Sequence, residues 1–246
     1  MIDKDVEKYR YDKEAEILLS ADKLNQIEKT PKYLNTPYKF YFKILEGKNS
    51  QSKLLEIGAG TGQNTGPLID MSYMVCATDI SLKSVELMKK RFYGCVNFSA
   101  QYDDMEKLPF NDENFNIVCG AGSLSYGDNK MVMNEIYRVL KPGGMLVVVD
   151  SLNNNPIYQF NRYIKYLKDN RTKSTLVRMP TISLIDKYTQ KFGHVEVKYF
   201  GAITWIFPLL NKVLNEKLMT DFSNWIDTTF KIKSSAFKFV MKVVKK

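Results

Sequence analysis

The chain has 246 residues, of which 44% are hydrophobic and 26% are charged. This length suits one α/β domain with its own core, and the composition excludes an intrinsically disordered chain. Lys and Arg outnumber Asp and Glu by 36 to 27, and the net charge of +9 favours an anionic partner unless it only solvates the surface.

Nothing in the composition points to a secreted, membrane-spanning or metal-binding protein. The three cysteines lack metal-ligand spacing, and the N-terminus is charged from Asp3 onward, unlike a signal peptide. No apolar run approaches the ~20 residues that a membrane span needs. We therefore expect a cytoplasmic protein without a metal ion.

The first 48 residues are charged and helical in pattern. Apolar residues lie near helical spacing at Ile17, Leu18, Leu24 and Ile27. Pro31 and Pro37 are predicted to break the region into short helices.

The most informative segment is the run LLEIGAGTG at residues 54–62. Its apolar start predicts a buried parallel strand. Gly58, Gly60 and Gly62 then permit a sharp turn and a close approach of a ligand to the backbone, with a helix beginning just after.

Strands alternate with helices through residue 150, which predicts right-handed βαβ units and a parallel sheet. Predicted strands cover 53–57, 73–78, 96–99, 115–119 and 145–149, and predicted helices cover 62–71, 81–92 and 131–140. Glu56, Asp79, Asp104 and Asp150 fall at or just after strand ends, where such sheets bind ligands.

The pattern changes after Asp150. Helices are predicted at 157–168 and 181–192, strands at 194–199 and 236–244, and a helical region at 203–230 that Pro208 interrupts.

Five segments appear in an order that carries a family resemblance: LLEIGAGTG, ATDIS, DDMEKLPF, NIVCGAGSLSY and RVLKPGGMLVVVD. With them the chain resembles class I S-adenosylmethionine-dependent methyltransferases of the type 11 kind. The resemblance implies a Rossmann-like, seven-stranded, mostly parallel sheet with helices on both faces and an antiparallel last strand. It also implies one domain, 1–246, with a helical lid (1–48), a cofactor-binding core (49–150) and a substrate-side part (151–246) that carries a helical insert before the last strand.

The same resemblance assigns the site of S-adenosylmethionine and of its product, S-adenosylhomocysteine. Asp79 would hold the ribose hydroxyls, and Asp104 would accept the adenine amino group, with Asp103 as a rival. Tyr9 and Tyr11 of the lid are further expected contacts. The implied cofactor-binding set is Glu56, Gly58, Ala59, Gly60, Gly62, Asp79, Ile80, Asp104, Met105, Gly120 and Ala121.

Methyl transfer requires alignment of the acceptor, and a base if the acceptor is a hydroxyl. The candidate catalytic residues are Asp128 and Asp150 as bases and Tyr126 as an orienting group, with Tyr158 as a second tyrosine that could orient the acceptor. His194, the only histidine, is expected to be structural.

The acceptor is expected to be a small molecule or glycan. It could carry a phosphate, because Arg162, Arg171 and Arg178 could bind one. Equally, these arginines could lie along an amphipathic helix. The C-terminal part is similar to methyltransferases of bacterial surface-polysaccharide biosynthesis, which implies O-methylation of a sugar hydroxyl on a nucleotide-sugar or glycan.

Several alternatives remain open at the level of sequence. One is a methyltransferase for a quinone or another small aromatic or lipid acceptor; others are a nucleic-acid-binding protein, for which no reader motif is present, and a non-catalytic cofactor-binding protein. The apolar insert around 205–214 is expected to be core of a cap, with peripheral membrane contact as the alternative.

Overall fold

The computed structural model describes residues 3–20, 31–47, 51–71, 73–168, 172–210 and 213–246. The strands are β1 Lys53–Ile57, β2 Met74–Asp79, β3 Phe98–Tyr102, β4 Phe115–Ala121, β5 Leu140–Ser151, β6 Val195–Phe200 and β7 Lys238–Val244. The helices are α1 Asp3–Ser20, α2 Lys32–Leu45, α3 Thr65–Asp70, α4 Leu82–Arg91, α5 Asn129–Val139, α6 Pro156–Leu167, α7 Lys173–Val177, α8 Ile182–Phe192, α9 Phe207–Leu210 and α10 Glu216–Thr229. Short 3₁₀ turns lie at Leu124–Tyr126 and Thr204–Ile206.

The strands form one seven-stranded sheet in the order β3-β2-β1-β4-β5-β7-β6. The first five strands in chain order pair in parallel, whereas β7 is antiparallel to both β5 and β6. Strand order reverses between β1 and β4, which opens a crevice beyond their carboxyl ends. The expected Rossmann-like architecture is therefore confirmed.

Both faces of the central strands are buried. Leu54 packs with Tyr41 and Leu45 of α2 on one face, whereas Leu55 packs with Ile136 of α5 on the other. Burial on two sides explains why adjacent residues of β1, such as Leu54 and Leu55, are both apolar.

The prediction that Pro37 breaks a helix is wrong, because Pro37 lies inside α2. Proline removes one backbone hydrogen bond there, but Tyr41 and Leu45 are fully buried and their packing holds the helix together. Pro31 does precede the first residue of α2, as expected.

Strand β5 begins five residues earlier than predicted. Its Leu140 pairs with Phe115 at the start of β4, directly after α5 ends. The Gly143 amide donates a hydrogen bond to the Lys245 carbonyl at 2.8 Å, which keeps the Pro-Gly-Gly run at the end of the sheet. Lys245 lies about a hundred residues further along the chain, so a local sequence pattern could not predict this pairing.

Other boundaries shift by a few residues. The third strand begins at Phe98 rather than 96, since Val96 is 97% exposed and has nothing to pack against. Helix α3 begins at Thr65 rather than 62, and β7 begins at Lys238 rather than 236.

Helix α1 lies over the crevice and is anchored through its carboxylates. Asp12 accepts hydrogen bonds from the Ser81 hydroxyl at 2.6 Å and the Lys83 amide at 3.2 Å, at the start of α4. Asp3 accepts one from the Ser174 amide at 2.8 Å, in α7. One helix thus bridges two sides of the crevice.

Helix α2 behaves differently from α1, because it packs against β5, β7 and α10 and does not cover the crevice. Residues 1–2, 21–30 and 48 of the predicted lid lie outside the described residues.

Among the described residues, no helix combines the length and the apolar character needed to cross a membrane.

Glu56, at the end of β1, is a buried carboxylate beneath the glycine turn. It is 1% exposed, and its Oε2 accepts a hydrogen bond from the Thr65 hydroxyl at 2.6 Å. Burial raises the pKa of Glu56 from 4.5 to about 7, and the nearby charge of Asp79 adds to the rise, while the Thr65 hydrogen bond opposes it.

This raised pKa predicts a pH-dependent stability. Between pH 4.5 and about 7 the folded protein retains a proton at Glu56 that the unfolded chain releases, so the free energy of unfolding falls as pH rises. Glu56→Gln should remove this dependence and stabilise the protein above pH 7 by up to about 3 kcal/mol. Denaturant unfolding across the pH range measures it.

The exposed Glu16→Gln is the control and should leave the pH profile unchanged. Parallel profiles for Glu56→Gln and the wild type would contradict the prediction.

Candidate functional site

A cavity of about 330 Å³ lies between α1 and the carboxyl ends of β1, β2 and β4. Its lining residues are Lys4, Glu7, Tyr11, Glu14, Gly58, Ala59, Gly60, Thr61, Gln63, Asn64, Asp79, Ile80, Asp103, Asp104, Met105, Ala121, Gly122 and Tyr126. A volume of this order suits a small organic ligand.

The three glycines of the turn serve different purposes. Gly58 and Gly62 have positive φ and are crowded, because an added Cβ would lie 2.7 Å from the Ser123 Cβ or 2.9 Å from the Met88 Cγ. Gly60, with φ of +56°, has no neighbouring atom within 4 Å of that position. Gly60 therefore leaves open space beside the backbone, while the other two permit close packing.

Asp79 ties the glycine turn to the end of β2. Its Oδ2 accepts a hydrogen bond from the Gly60 amide, and its Oδ1 accepts one from the Ser81 amide, both at 2.8 Å. Burial raises the Asp79 pKa above its usual value, and these two amides oppose the rise. The side chain is 8% exposed and still lines the cavity, and a carboxylate has more acceptor sites than these two amides use.

The segment after β3 contributes two neighbouring carboxylates. Asp104 Oδ1 accepts a hydrogen bond from the Glu106 amide at 3.0 Å, and Lys4 of α1 lies 2.9 Å from the Glu106 carboxylate while also pairing with Asp104. Asp103 lines the same cavity, so the choice between Asp103 and Asp104 stays open.

An aromatic and cationic cluster joins α1 to the turn after β4. Tyr11 and Tyr126 meet edge to face with ring centroids 5.5 Å apart, and the Arg10 guanidinium lies 4.9 Å and 5.9 Å from their respective centroids. Burial raises the Tyr11 pKa well above its usual value, so Tyr11 acts as a neutral hydrogen-bonding group.

The two predicted base candidates both hold backbone amides outside the cavity. Asp150 Oδ2 accepts from the Leu124 amide at 3.0 Å, and its Oδ1 accepts from the Ser151 amide at 2.6 Å. Burial raises the Asp150 pKa, although the charge of Lys238 and the amides oppose this. Asp150 therefore orients the turn that carries Tyr126.

Asp128 is the N-cap of α5. Its Oδ1 accepts hydrogen bonds from the amides of Lys130 and Met131, both at 3.0 Å. These bonds satisfy two of the free amides at the helix start.

The structure brings most of the predicted site residues together, but not all. Those that line the cavity are Gly58, Ala59, Gly60, Asp79, Ile80, Asp104, Met105, Ala121 and Tyr126. Those outside its lining are Glu56, Gly62, Gly120, Asp128 and Asp150. Glu56 and Gly62 support the turn from behind, and Gly120 is crowded by the Ser123 hydroxyl, 2.7 Å from where its Cβ would lie.

Sequence reasoning predicted a helical lid with Tyr11 as a contact, but it missed the other cavity-lining residues of α1, which are Lys4, Glu7 and Glu14. Lys4, Glu7, Tyr11 and Glu14 recur at the spacing of a helical face and all line the cavity, whereas Tyr9 is 66% exposed. A search for polar rather than apolar periodicity would have found this face. Thr61, Gln63, Asn64 and Gly122 were also missed; Thr61 and Gly122 lie inside recognised motifs, and Gln63 and Asn64 directly follow one.

A second, open groove of about 550 Å³ lies beside α6. Its lining residues are Ser151, Tyr158, Asn161, Arg162, Ile164, Lys165, Lys168 and Phe237. It lies near the first cavity, since Gly122 bonds to the Val149 carbonyl only two residues before Ser151.

Of the two predicted phosphate-binding arginines that the structure describes, Arg162 lines this groove and Arg178 does not. Arg162 lines it and donates to the Leu152 carbonyl at 2.9 Å, whereas Arg178 lies 3.7 Å from Glu106, and Arg171 lies outside the described residues. His194 is exposed in the turn before β6.

Comparisons with known proteins agree with this arrangement. Residues 54–144 match the family model described as a methyltransferase domain. The chain is 34% identical over 105 residues to an uncharacterized methyltransferase, YodH, of Bacillus subtilis, covering 42% of this chain and 45% of the relative. It is 36% identical over 127 residues to the ubiquinone/menaquinone biosynthesis C-methyltransferase UbiE of Desulfotalea psychrophila, covering 49% of this chain and 51% of the relative.

The matched region thus spans about half the length of these relatives. Among solved structures, the fold is similar to a Haemonchus contortus phosphoethanolamine N-methyltransferase in complex with S-adenosylhomocysteine. The TM-score is 0.58 at 16% identity, covering 85% of this chain and 52% of that one. Residues 54–144 therefore match a methyltransferase domain, and the solved structure with a similar fold holds S-adenosylhomocysteine.

Proposed function

We propose that this chain transfers the methyl group of S-adenosylmethionine to a small-molecule acceptor. The observation that carries the proposal is the joint presence of Asp79, Asp104 and the open backbone at Gly60 in one cavity. Carboxylates accept hydrogen bonds from the hydroxyl and amino groups of an adenosine, and the space at Gly60 admits a ligand close to the main chain.

The individual roles follow from the donors and acceptors that are present. Asp79 would accept from the ribose hydroxyls, and Asp104 or Asp103 from the adenine amino group beside Met105. Main-chain atoms at 58–60 and 121–122 would border the methionine part. When bound, the cofactor supplies an activated methyl group, and the protein's task is to align the acceptor and let its proton leave.

The positions of the two predicted bases favour an acceptor that ionises readily. A sugar hydroxyl is a weak acid and needs a general base, but Asp128 and Asp150 lie outside the lining and each holds two backbone amides. The lining carboxylate Glu7 already accepts hydrogen bonds from the hydroxyls of Thr172 and Thr175. A phenol or quinol loses its proton far more easily. We therefore propose a quinone-type or other small aromatic acceptor first, in keeping with the name of the UbiE relative.

A second candidate is the methylation of a sugar hydroxyl on a nucleotide-sugar or surface glycan. The groove beside α6 supports it, because Ser151, Asn161, Arg162 and Lys165 offer hydrogen bonds and positive charge to a polar or phosphorylated acceptor. The resemblance to enzymes of polysaccharide biosynthesis is part of this second proposal, and the cytoplasmic location remains a prediction.

Transfer of labelled methyl groups tests the proposal and separates the candidates. The protein is incubated with methyl-labelled S-adenosylmethionine and with two acceptor pools, a lipid-extractable quinol fraction and a nucleotide-sugar fraction. We expect label in the quinol fraction and none with Asp79→Ala, which loses the turn geometry at Gly60 and Ser81. Label in the sugar fraction would select the second candidate, and cofactor binding without any transfer would indicate a non-catalytic binder.

Two substitutions of Asp128 separate a catalytic base from a helix cap. Asp128→Asn keeps an oxygen that can accept from Lys130 and Met131, so turnover and stability should stay close to wild type. Asp128→Ala should lower the free energy of unfolding by about 1 kcal/mol through loss of the cap. A large fall in turnover for Asp128→Asn, with unchanged stability, would restore Asp128 as a base.

We also propose that α1 acts as the lid over the cofactor. Asp12 anchors α1 to α4 without lining the cavity. Asp12→Ala should therefore weaken S-adenosylmethionine binding about fivefold, which corresponds to about 1 kcal/mol for lost hydrogen bonds. Calorimetric titration measures this, with the exposed Glu16→Ala as the control; equal affinities for all three proteins would remove the lid role.

A further inference from the structure

Helix α10 turns its polar side inward and its apolar side outward. Its buried residues are Met219, Ser223 and Asp227, at successive intervals of four. Leu218, Phe222 and Trp225 are 54%, 48% and 53% exposed, at the spacing of one helical stripe. A surface helix ordinarily buries its apolar stripe, so the fold of this chain does not account for the outer face.

The inward polar side has a clear structural purpose. Asp227 accepts hydrogen bonds from the amides of Gly201 at 2.6 Å and Ala202 at 3.0 Å, directly after β6. Burial raises the Asp227 pKa, and the two amides oppose the rise. The helix is therefore fixed in its orientation by Asp227, and it cannot roll to bury its aromatic stripe without breaking these bonds.

The exposed stripe is continuous and ordered. Phe222 stacks on Trp225 with ring centroids 6.0 Å apart, and Phe230, just after the helix, meets Trp225 edge to face at 5.7 Å. We call Leu218, Phe222, Trp225 and Phe230 the α10 stripe. A group of large apolar side chains of this kind on a surface marks a contact with another molecule.

The charges around the stripe identify its partner. Lys217 lies at one end and Lys231 and Lys233 lie beyond the other, all exposed, whereas Asp221 is the exposed acid between them. An aromatic face bordered by lysines matches an anionic bilayer, where rings enter the headgroup region and lysines meet lipid phosphates. In a symmetric pair of chains the same lysines would face each other, which disfavours a second copy.

We propose that the α10 stripe is a docking site for an anionic lipid surface. The site is interfacial: the apolar rings lie in the boundary between headgroups and acyl chains, and the helix lies along the membrane plane. This inference does not depend on the proposed reaction, because it concerns a face outside the cofactor cavity.

Docking through α10 would also orient the groove beside α6. Asp227 holds Gly201, and the Gly201 carbonyl accepts a hydrogen bond at 3.2 Å from the hydroxyl of Tyr158, which lines that groove. A bound membrane is thereby connected to the groove through two hydrogen-bonded steps, which suits an acceptor delivered from a lipid phase.

Vesicle co-sedimentation tests the docking site. The full chain is mixed with vesicles of equal parts phosphatidylcholine and phosphatidylglycerol, or of phosphatidylcholine alone, at low and at physiological salt. We expect binding to the anionic vesicles that weakens with salt, because exposed charges are screened. The double variant Phe222→Ser/Trp225→Ser should bind at least about tenfold less, since about half of each ring is already exposed and little folding energy is lost.

Two further double variants test whether vesicle binding depends on the α10 stripe and on its neighbouring lysines. Tyr93→Ser/Val96→Ser removes two apolar side chains that are 92% and 97% exposed near β3, at the opposite edge of the sheet, and should bind vesicles like wild type. Lys217→Glu/Lys233→Glu should lose binding at low salt. Calorimetric titration with S-adenosylmethionine checks that each variant retains its cavity.

Three results would overturn the proposal. These are no binding of wild type to anionic vesicles at low salt, equal binding by Phe222→Ser/Trp225→Ser, and a dimer in sedimentation velocity that this variant dissociates while vesicles stay unbound. The last would assign the stripe to a second copy of the chain. Failure of vesicle binding with intact methyl transfer would leave the proposed function untouched.

Discussion

The structure depends on carboxylates that are buried at strand ends and bonded to backbone amides. Asp79 holds the amides of Gly60 and Ser81, and Asp150 holds those of Leu124 and Ser151. Loops that cross the edge of a parallel sheet cannot pair these amides among themselves, and an unpaired buried amide is costly. These hydrogen bonds offset the cost of burying each carboxylate, and they hold each loop in one geometry.

Carboxylates that accept hydrogen bonds also hold α1 in place over the cavity. Asp12 and Asp3 of α1 accept hydrogen bonds from Ser81, Lys83 and Ser174, so α1 is attached at both of its flanks. The cavity therefore lies between the loops at the strand ends and helix α1, and hydrogen bonds to acids hold both in place. This explains how a surface of charged residues can enclose a cavity of defined shape, and why acids outside the lining still affect it.

The glycine motif and the alternation of strands and helices were sufficient to predict the sheet and the place of the cavity. They could not distinguish acids that line the cavity from acids that hold a loop, because both follow strand ends. Asp79 does both, whereas Asp150 and Asp128 hold amides outside the lining. The early start of β5 depends on Phe115 and Lys245, which are distant in sequence. Tyr11 was expected at the cavity, whereas Lys4, Glu7 and Glu14 on the same face of α1 were missed because their periodicity is polar.

Helix α10 shows a more general limit of sequence patterns. A periodic apolar stripe shows that a helix has one apolar side and one polar side, but it does not show which side faces the core. Leu218, Phe222 and Trp225 would be read as core, yet the amides of Gly201 and Ala202 require Asp227 to face inward. One buried carboxylate thus decides the orientation, and the large apolar side chains stay exposed. The acids that shape the cavity and the acid that exposes the α10 stripe act by the same physical means.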